Sequence, residues 1–332
     1  MKILFVSGNH DISVGSYRIW INDLNKYFRD CGYRSDVATG AENIASISNY
    51  NVIICGKNDV ATAVKIKNKF PNRKVGVINL AANIRDLPID FVIVGSVEEM
   101  DNLSHYENVF LFPLIENMYQ GDDYKIHSKK SKLRIGFHGH YPHLSKFEPN
   151  LKRALEEVSR ACDMELLIMT SNVPFKWKVG KPKIENILFK HWDTNTIKED
   201  ILSCDIGIVP NITNMPMNVQ KYGVSSDHGL YDTDIIIRMK NKSNAGRAYV
   251  FHQLGIPVIA DLTPSNFHIM GDPQNGIIAN SYEGWKKGIL KLRDHTVRQK
   301  MADNAKEKFD ELYNPHRWAM RLHNNLKELT NE

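Results

Sequence analysis

Residues 240–261 read KNKSNAGRAYVFHQLGIPVIAD. A basic, polar loop leads into a helix expected from about residue 244 to 254, capped by Ser243 or Asn244. Gly255 stops the helix, and Pro257 opens a short apolar strand over 256–261. Loop, helix and buried strand in this order make one repeat of a parallel α/β sheet. The start of such a helix carries N–H groups outside the helical ladder and the positive end of the dipole, so it attracts anions. Lys240, Lys242 and Arg247 fall within a turn or two of it. Phosphate recognition is one reading of those cations, and plain solvation is the other.

The same rhythm extends through the chain. Toward the N-terminus, apolar runs at 2–8, 35–39, 51–57, 74–80, 90–96 and 108–114 read as strands, separated by helical or polar segments. The first helix places Tyr17, Trp20, Ile21, Leu24, Tyr27 and Phe28 at 3–4 spacing and ends at Gly32. Residues 116–132, ENMYQGDDYKIHSKKSK, carry charge without apolar periodicity and read as a linker. The rhythm restarts at LRIGFHGH (133–140) and continues through strands at 164–171, 185–192, 205–211 and 276–281, with a helix after Thr194 or Asn195. Nearly continuous apolar strands imply parallel sheets covered on both faces. The expected organisation is a Rossmann-like domain over 1–115, a linker over 116–132 and a second Rossmann-like domain over 133–314. A terminal helix over 315–332 could pack back on the first domain.

With 332 residues, 42% hydrophobic and 24% charged, the chain has ordinary globular composition. Its net charge of +5 suits anionic partners. No aromatic-interleaved basic stripe is present, so nucleic acid is not expected. Cys31, Cys55, Cys162 and Cys204 are scattered without a C-x-x-C pair, which fits reduced thiols and a cytoplasmic setting. Neither first strand is followed by G-x-G-x-x-G, which argues against a dinucleotide oxidoreductase.

The segment 240–261, following the strand DIGIVPN (205–211), resembles the donor-binding helix of GT-B glycosyltransferases of the family 4 (group 1) kind. The resemblance extends to the turn after the first strand, the mid-chain linker and the second opening IGFHGH (135–140). It implies an α/β fold of two doubly wound domains facing a central cleft. It also implies sugar transfer from a nucleotide-sugar to a glycan or lipid-linked acceptor in bacterial surface polysaccharide assembly. No metal or separate cofactor is implied, the nucleotide-sugar being a co-substrate. The diphosphate role falls on Lys240, Lys242, Ser243, Asn244 and Arg247. Two acidic residues usual in that motif are absent, Lys242 and Val250 standing in their places. Two alternatives therefore stay open: a sugar-nucleotide epimerase of the same fold, and a binding protein that has lost its chemistry.

Further candidates lie where strands end. After the first strand, His10 and Asp11 are of the type that accepts a proton from an attacking hydroxyl. Gly15 and Ser16 open the first helix, and Arg18 could reach a phosphate or an acidic acceptor. In the second half, Gly139 could let a donor approach the backbone closely, His138 or His140 could face the sugar, and Trp192 could stack on a base. Each also has a plainer reading as a satisfied polar or core residue. Gly8-Asn9-His10-Asp11 matches part of a metallophosphoesterase element, but residues 1–7 contain none of the ligands such a site needs. Asp227, His228, Asp232 and Asp234 lie in a polar insert over 212–235, read as structural. The run Lys65, Lys67, Lys69, Arg73 and Lys74 is either a solvated helix face or a peripheral contact with the inner membrane face.

Overall fold

The computed structural model describes residues 1–39, 47–81, 84–145, 149–171, 173, 176–177, 181–211 and 244–331. The chain divides into two compact units, Met1–Met118 with Leu312–Glu332, and Tyr119–Glu311.

In the first unit, six parallel strands form one sheet in the order β2-β1-β3-β4-β5-β6. They are β1 (Lys2–Ser7), β2 (Arg34–Thr39), β3 (Val52–Cys55), β4 (Lys74–Ile78), β5 (Phe91–Val94) and β6 (Val109–Leu111). The run of apolar residues in each strand follows from covering both faces. Ile3 and Phe5 point into one core with Trp20, Leu24 and Phe28. Leu4 and Val6 point into another with Ala63, Ile66 and Val75. The first core lies under the helical stretch after β1: α1 (Gly15–Tyr17), a π-helical turn (Arg18–Asp23) and α2 (Leu24–Asp30). The terminal helix Pro315–Thr330 packs there too, through Ala319, Leu322 and Leu326. The second core lies under α3 (Val60–Lys69). Because β1 lies between β2 and β3, the loop after β1 emerges where the strand order reverses.

The second unit repeats the plan in the order β12-β11-β10-β7-β8-β9, all parallel. Its strands are β7 (Leu133–His138), β8 (Met164–Thr170), β9 (Asn186–His191), β10 (Ile206–Val209), β11 (Val258–Ala260) and β12 (Ile277–Ile278). Here the order reverses between β7 and β10, so the loops after these two strands flank the switch point. Residues 244–261 supply helix Gly246–Gln253 and β11. Gly255 ends the helix at φ +69°, with Ile256 N–H returning to the Phe251 carbonyl.

Residues 119–132, read from sequence as linker, lie within the second unit. Several of their charges are paired against it: Lys125 and Lys130 both approach buried Asp205, at 3.6 and 2.9 Å. His127 bonds the Gly255 carbonyl at 2.9 Å. A polar stretch without periodicity can therefore be a strap as well as a spacer. The cap expected at Thr194 or Asn195 is also displaced. Helix Ile197–Leu202 begins after Thr196, and the Asp193 carboxylate instead takes the Asn195 N–H.

Candidate functional site

At the switch point of the second unit, four short elements meet around Arg247. Asn211 follows β10 after Pro210, and its backbone N–H is fixed by the Asp261 carboxylate at 2.7 Å. Gly139 follows β7 at φ +115°. A Cβ there would stand 2.9 Å from Arg247 Cδ, so glycine is what lets the arginine side chain pass. His143 comes from the short helix Pro142–Ser145. Arg247 is the second residue of helix Gly246–Gln253. Its Nη2 donates to Asn211 Oδ1 and to His143 Nδ1, the latter at 3.2 Å.

Two donors in this cluster have no acceptor among the described residues. Among those residues, Arg247 Nη1 and Asn211 Nδ2 are both buried without a hydrogen-bond partner. Leaving a buried donor unsatisfied costs roughly 1–3 kcal/mol, more for a charged group. Two unsatisfied donors, one cationic, are of the kind that pairs with oxyanions. Burial draws the Arg247 pKa down to about 10, against the counter-pull of Asp261. It remains charged at neutral pH. Burial, then Arg247, then His140 push His143 down to about 2. His143 is thus a neutral imidazole whose Nδ1 accepts from Arg247, which places its proton on Nε2. His140, on the exposed side, is lowered by burial and by Arg247.

The first turn of the helix adds to this site. The helix begins at Gly246 with Ala245 as its cap residue, later than the cap expected at Ser243 or Asn244, although Asn244 Oδ1 accepts the Gly246 N–H at 3.3 Å. The N–H groups of Arg247 and Ala248 lie in that first turn, beyond the helix's own ladder. Lys240, Lys242 and Ser243 lie outside the described residues, as do Asp227, His228, Asp232 and Asp234. Val250, where the resembled motif has a carboxylate, is wholly buried.

The remaining sequence candidates separate into different settings. His138 is 5% exposed, its Nε2–H donating to the Arg247 carbonyl at 3.1 Å and its ring set edge-on to Phe251. It locks β7 to the helix and is turned away from solvent, so the reading in which it faces a sugar gives way to a packing role. Trp192 follows β9, two strands from β7 and thus roughly 10 Å across the sheet. In the first unit, His10 is exposed and its ring meets Tyr17 edge-on at 5.3 Å. Asp11 Oδ1 accepts the Ser13 N–H at 2.8 Å, and bonding to Ser13 lowers its pKa, making it a poorer base. Gly15 and Ser16 open α1. Arg18 is buried and bonded to Glu116, which leaves it a part of the fold and not a solvent-facing phosphate ligand. Of the basic run at 65–74, Lys67 is held by Asp90 and two carbonyls, and Arg73 by the Ser48 carbonyl.

Asn211, His143 and Asp261 are the site residues that motif reading passed over. The signal available for Asn211 was positional: it is a polar residue just after a buried strand, at the switch point. Among the described residues, no group of three or more His, Cys, Asp or Glu is placed to hold a metal ion. No helix among them is long and apolar enough to cross a membrane. The four cysteines are free thiols.

No family model and no curated protein matches the chain by sequence. Solved structures match it closely in shape. A glycosyltransferase from Rickettsia africae superposes with a TM-score of 0.66 at 12% identity, covering 99% of this chain and 98% of that one. Sucrose-phosphate synthase from Thermosynechococcus elongatus gives 0.64 at 11%, covering 99% of each. HepE from Anabaena, solved with UDP, gives 0.62 at 12%, covering 99% of this chain and all of the other. At such identities the likeness establishes the fold. It is the two-domain GT-B fold, with both sheets parallel and six-stranded.

Proposed function

We propose that this chain is a glycosyltransferase that moves a sugar from a nucleotide-sugar donor to a glycan or lipid-linked acceptor, in assembly of a bacterial surface polysaccharide. The observation that carries the reading is the pair of buried donors left unsatisfied among the described residues, Arg247 Nη1 and Asn211 Nδ2, at the switch point of the second sheet. A donor diphosphate supplies the oxygens they lack. When the bond from the sugar to the terminal phosphate oxygen breaks, its electron pair stays on that oxygen. Arg247 then meets charge that is larger in the transition state than in the bound donor. In this reading the charge is balanced by Arg247, the helix start and Lys240, Lys242, Ser243 and Asn244, which precede it in sequence, without a metal. His10, exposed after β1, is the better candidate than Asp11 for taking the acceptor proton, because Asp11 is stabilised as the carboxylate. Lys65 and Lys69, the exposed lysines of α3, are the residues left for contact with a membrane bearing a lipid-linked acceptor.

UDP is the first nucleotide to test, since HepE was solved with UDP and with UDP-glucose. A thermal-shift panel of UDP-, GDP-, ADP-, CMP- and dTDP-sugars should show stabilisation by one nucleotide class. Arg247→Met and Lys242→Ala should reduce it. Absence of any stabilisation of the wild type would remove the donor site from the account. Release of free nucleoside diphosphate with label on an acceptor, in place of an isomerised nucleotide-sugar, separates transfer from epimerisation.

A further inference from the structure

We infer that Arg18 and Glu116 form a latch that positions the loop after β1 from the far end of the first unit's chain. Arg18 Nε and Nη2 both donate to Glu116 Oε2, at 3.1 and 2.7 Å. The third arm of the same guanidinium, Nη1, donates to the carbonyls of Ile12 and Ser13 at 3.0 and 3.3 Å. One buried side chain thus clamps the loop carrying His10 and Asp11 to a residue 98 positions away. The side chains of the pair are only 6% and 11% exposed.

The helical stretch after β1 grips the same segment at two more points. The Asp23 carboxylate accepts the Asn117 N–H at 3.0 Å, and the Tyr27 hydroxyl donates to the Ile115 carbonyl at 3.4 Å. Three consecutive residues, 115–117, are therefore held by side chains of one helix. The π-helical turn Arg18–Asp23 explains how. Residues five apart in an α-helix point about 140° away from each other at 100° per residue. Bonding from i to i+5 brings Arg18 and Asp23 onto one side, where both meet residues 116–117. A regular helix would direct Asn22 there instead of Asp23.

The consequence is mechanical coupling. The loop at the switch point of the first sheet cannot shift its Ile12 and Ser13 carbonyls without disturbing Arg18, and Arg18 cannot move without releasing Glu116. Residue 118 is the last before the chain enters the second unit. Whatever engages the loop is thereby felt at the exit segment, and the reverse. Arg18 is a positioning residue in this scheme, acting through the loop and not on substrate.

Amide hydrogen exchange of the full chain tests the latch without assuming any substrate. The reporter is the loop's own protected amides: Val14 N–H bonds the Asp11 carbonyl at 3.0 Å, and Ser13 N–H bonds Asp11 Oδ1. Glu116→Gln should speed exchange in peptides covering 9–17 about tenfold, though the substitution lies far away in sequence. Asp23→Asn, which leaves the Arg18–Glu116 pair in place, should change exchange most at 115–118 and carry a smaller rise into the loop. Unchanged loop exchange in Glu116→Gln would overturn the coupling. So would an equal rise across every peptide of the first unit, because it would mean the pair merely holds the fold. Glu116→Asp, which keeps the charge but shortens the reach, should fall between wild type and Gln. A second readout rests on the transferase reading: Glu116→Gln should raise KM for the acceptor while leaving donor-induced thermal stabilisation intact. Loss of donor stabilisation as well would contradict a role confined to the loop.

Discussion

Replacing Arg247 with methionine separates ligand recognition from folding in a way the structure makes quantitative. Methionine keeps the length and apolar stem while removing the charge and its donors. Burial draws the guanidinium pKa from 12.5 to about 10. The folded pKa lies below the unfolded one, so the charged folded state is disfavoured by roughly 3 kcal/mol at neutral pH, where both states are protonated. The substitution relieves that. Against it, Asn211 Oδ1 and His143 Nδ1 lose their donor, at roughly 1–3 kcal/mol each, less for His143 if its proton moves to Nδ1. The two effects nearly cancel, and the ligand-free variant should sit within about 2 kcal/mol of wild type, some 4–8 °C in melting temperature. Binding has no such compensation. Loss of a charge-assisted bond to phosphate removes about 1.5–3 kcal/mol, a ten- to hundredfold rise in Kd. Calorimetric titration with UDP and a melting curve of the free variant measure the two quantities. Equal affinity in wild type and variant would refute the site. A loss above about 5 kcal/mol without ligand would show that the arginine is a folding element first.

Gly139→Ala should cost roughly 1–3 kcal/mol in chemical denaturation, because its φ of +115° is strained for alanine and the new Cβ presses on Arg247 Cδ. It should also weaken nucleotide binding, which a thermal shift reads. Burial holds His127, His143 and His252 down to about 4, 2 and 3. Their folded pKa values lie below the unfolded 6.5, so the stability they contribute is present above pH 6.5 and is lost on acidification. Each removes about 1.4 kcal/mol per pH unit between 6.5 and its folded value. His252→Leu should flatten that slope, as followed by denaturant midpoints at pH 7, 6 and 5. Asp23 has the opposite sign. Burial raises it to about 6, so its contribution is full below pH 3.8 and gone above 6, up to about 3 kcal/mol. Asp23→Asn should therefore stabilise the protein more at pH 7 than at pH 4.5.

Much of the architecture could be read in the amino-acid order. Strands buried on both faces produce runs such as KILFVS and MELLIMT, in which no residue needs to be polar. Gly255 and Pro257 punctuate the helix-to-strand step because only particular backbone geometries fit there. The candidate site was legible at Arg247, Asn244 and Gly139, since a helix start and a positive-φ turn leave local signatures. Asn211 and His143 were not, because their roles arise from contacts over 36 and 104 positions that no local pattern encodes. Arg18 shows the converse. At a helix start after β1 it looks like a phosphate ligand, and only the fold reveals that Glu116, after the sixth strand, has claimed it. Lys125, Lys130 and His127 mislead in the same way: their partners Asp205 and Gly255 lie far along the chain, so a packed strap reads as a linker.

A crystal structure of the protein with UDP tests the central claim most directly. Phosphate oxygens should lie within about 3.2 Å of both Arg247 Nη1 and Asn211 Nδ2, the two donors without an acceptor among the described residues at the switch point. A diphosphate bound elsewhere on the chain, with Arg247 Nη1 still unpaired, would contradict it.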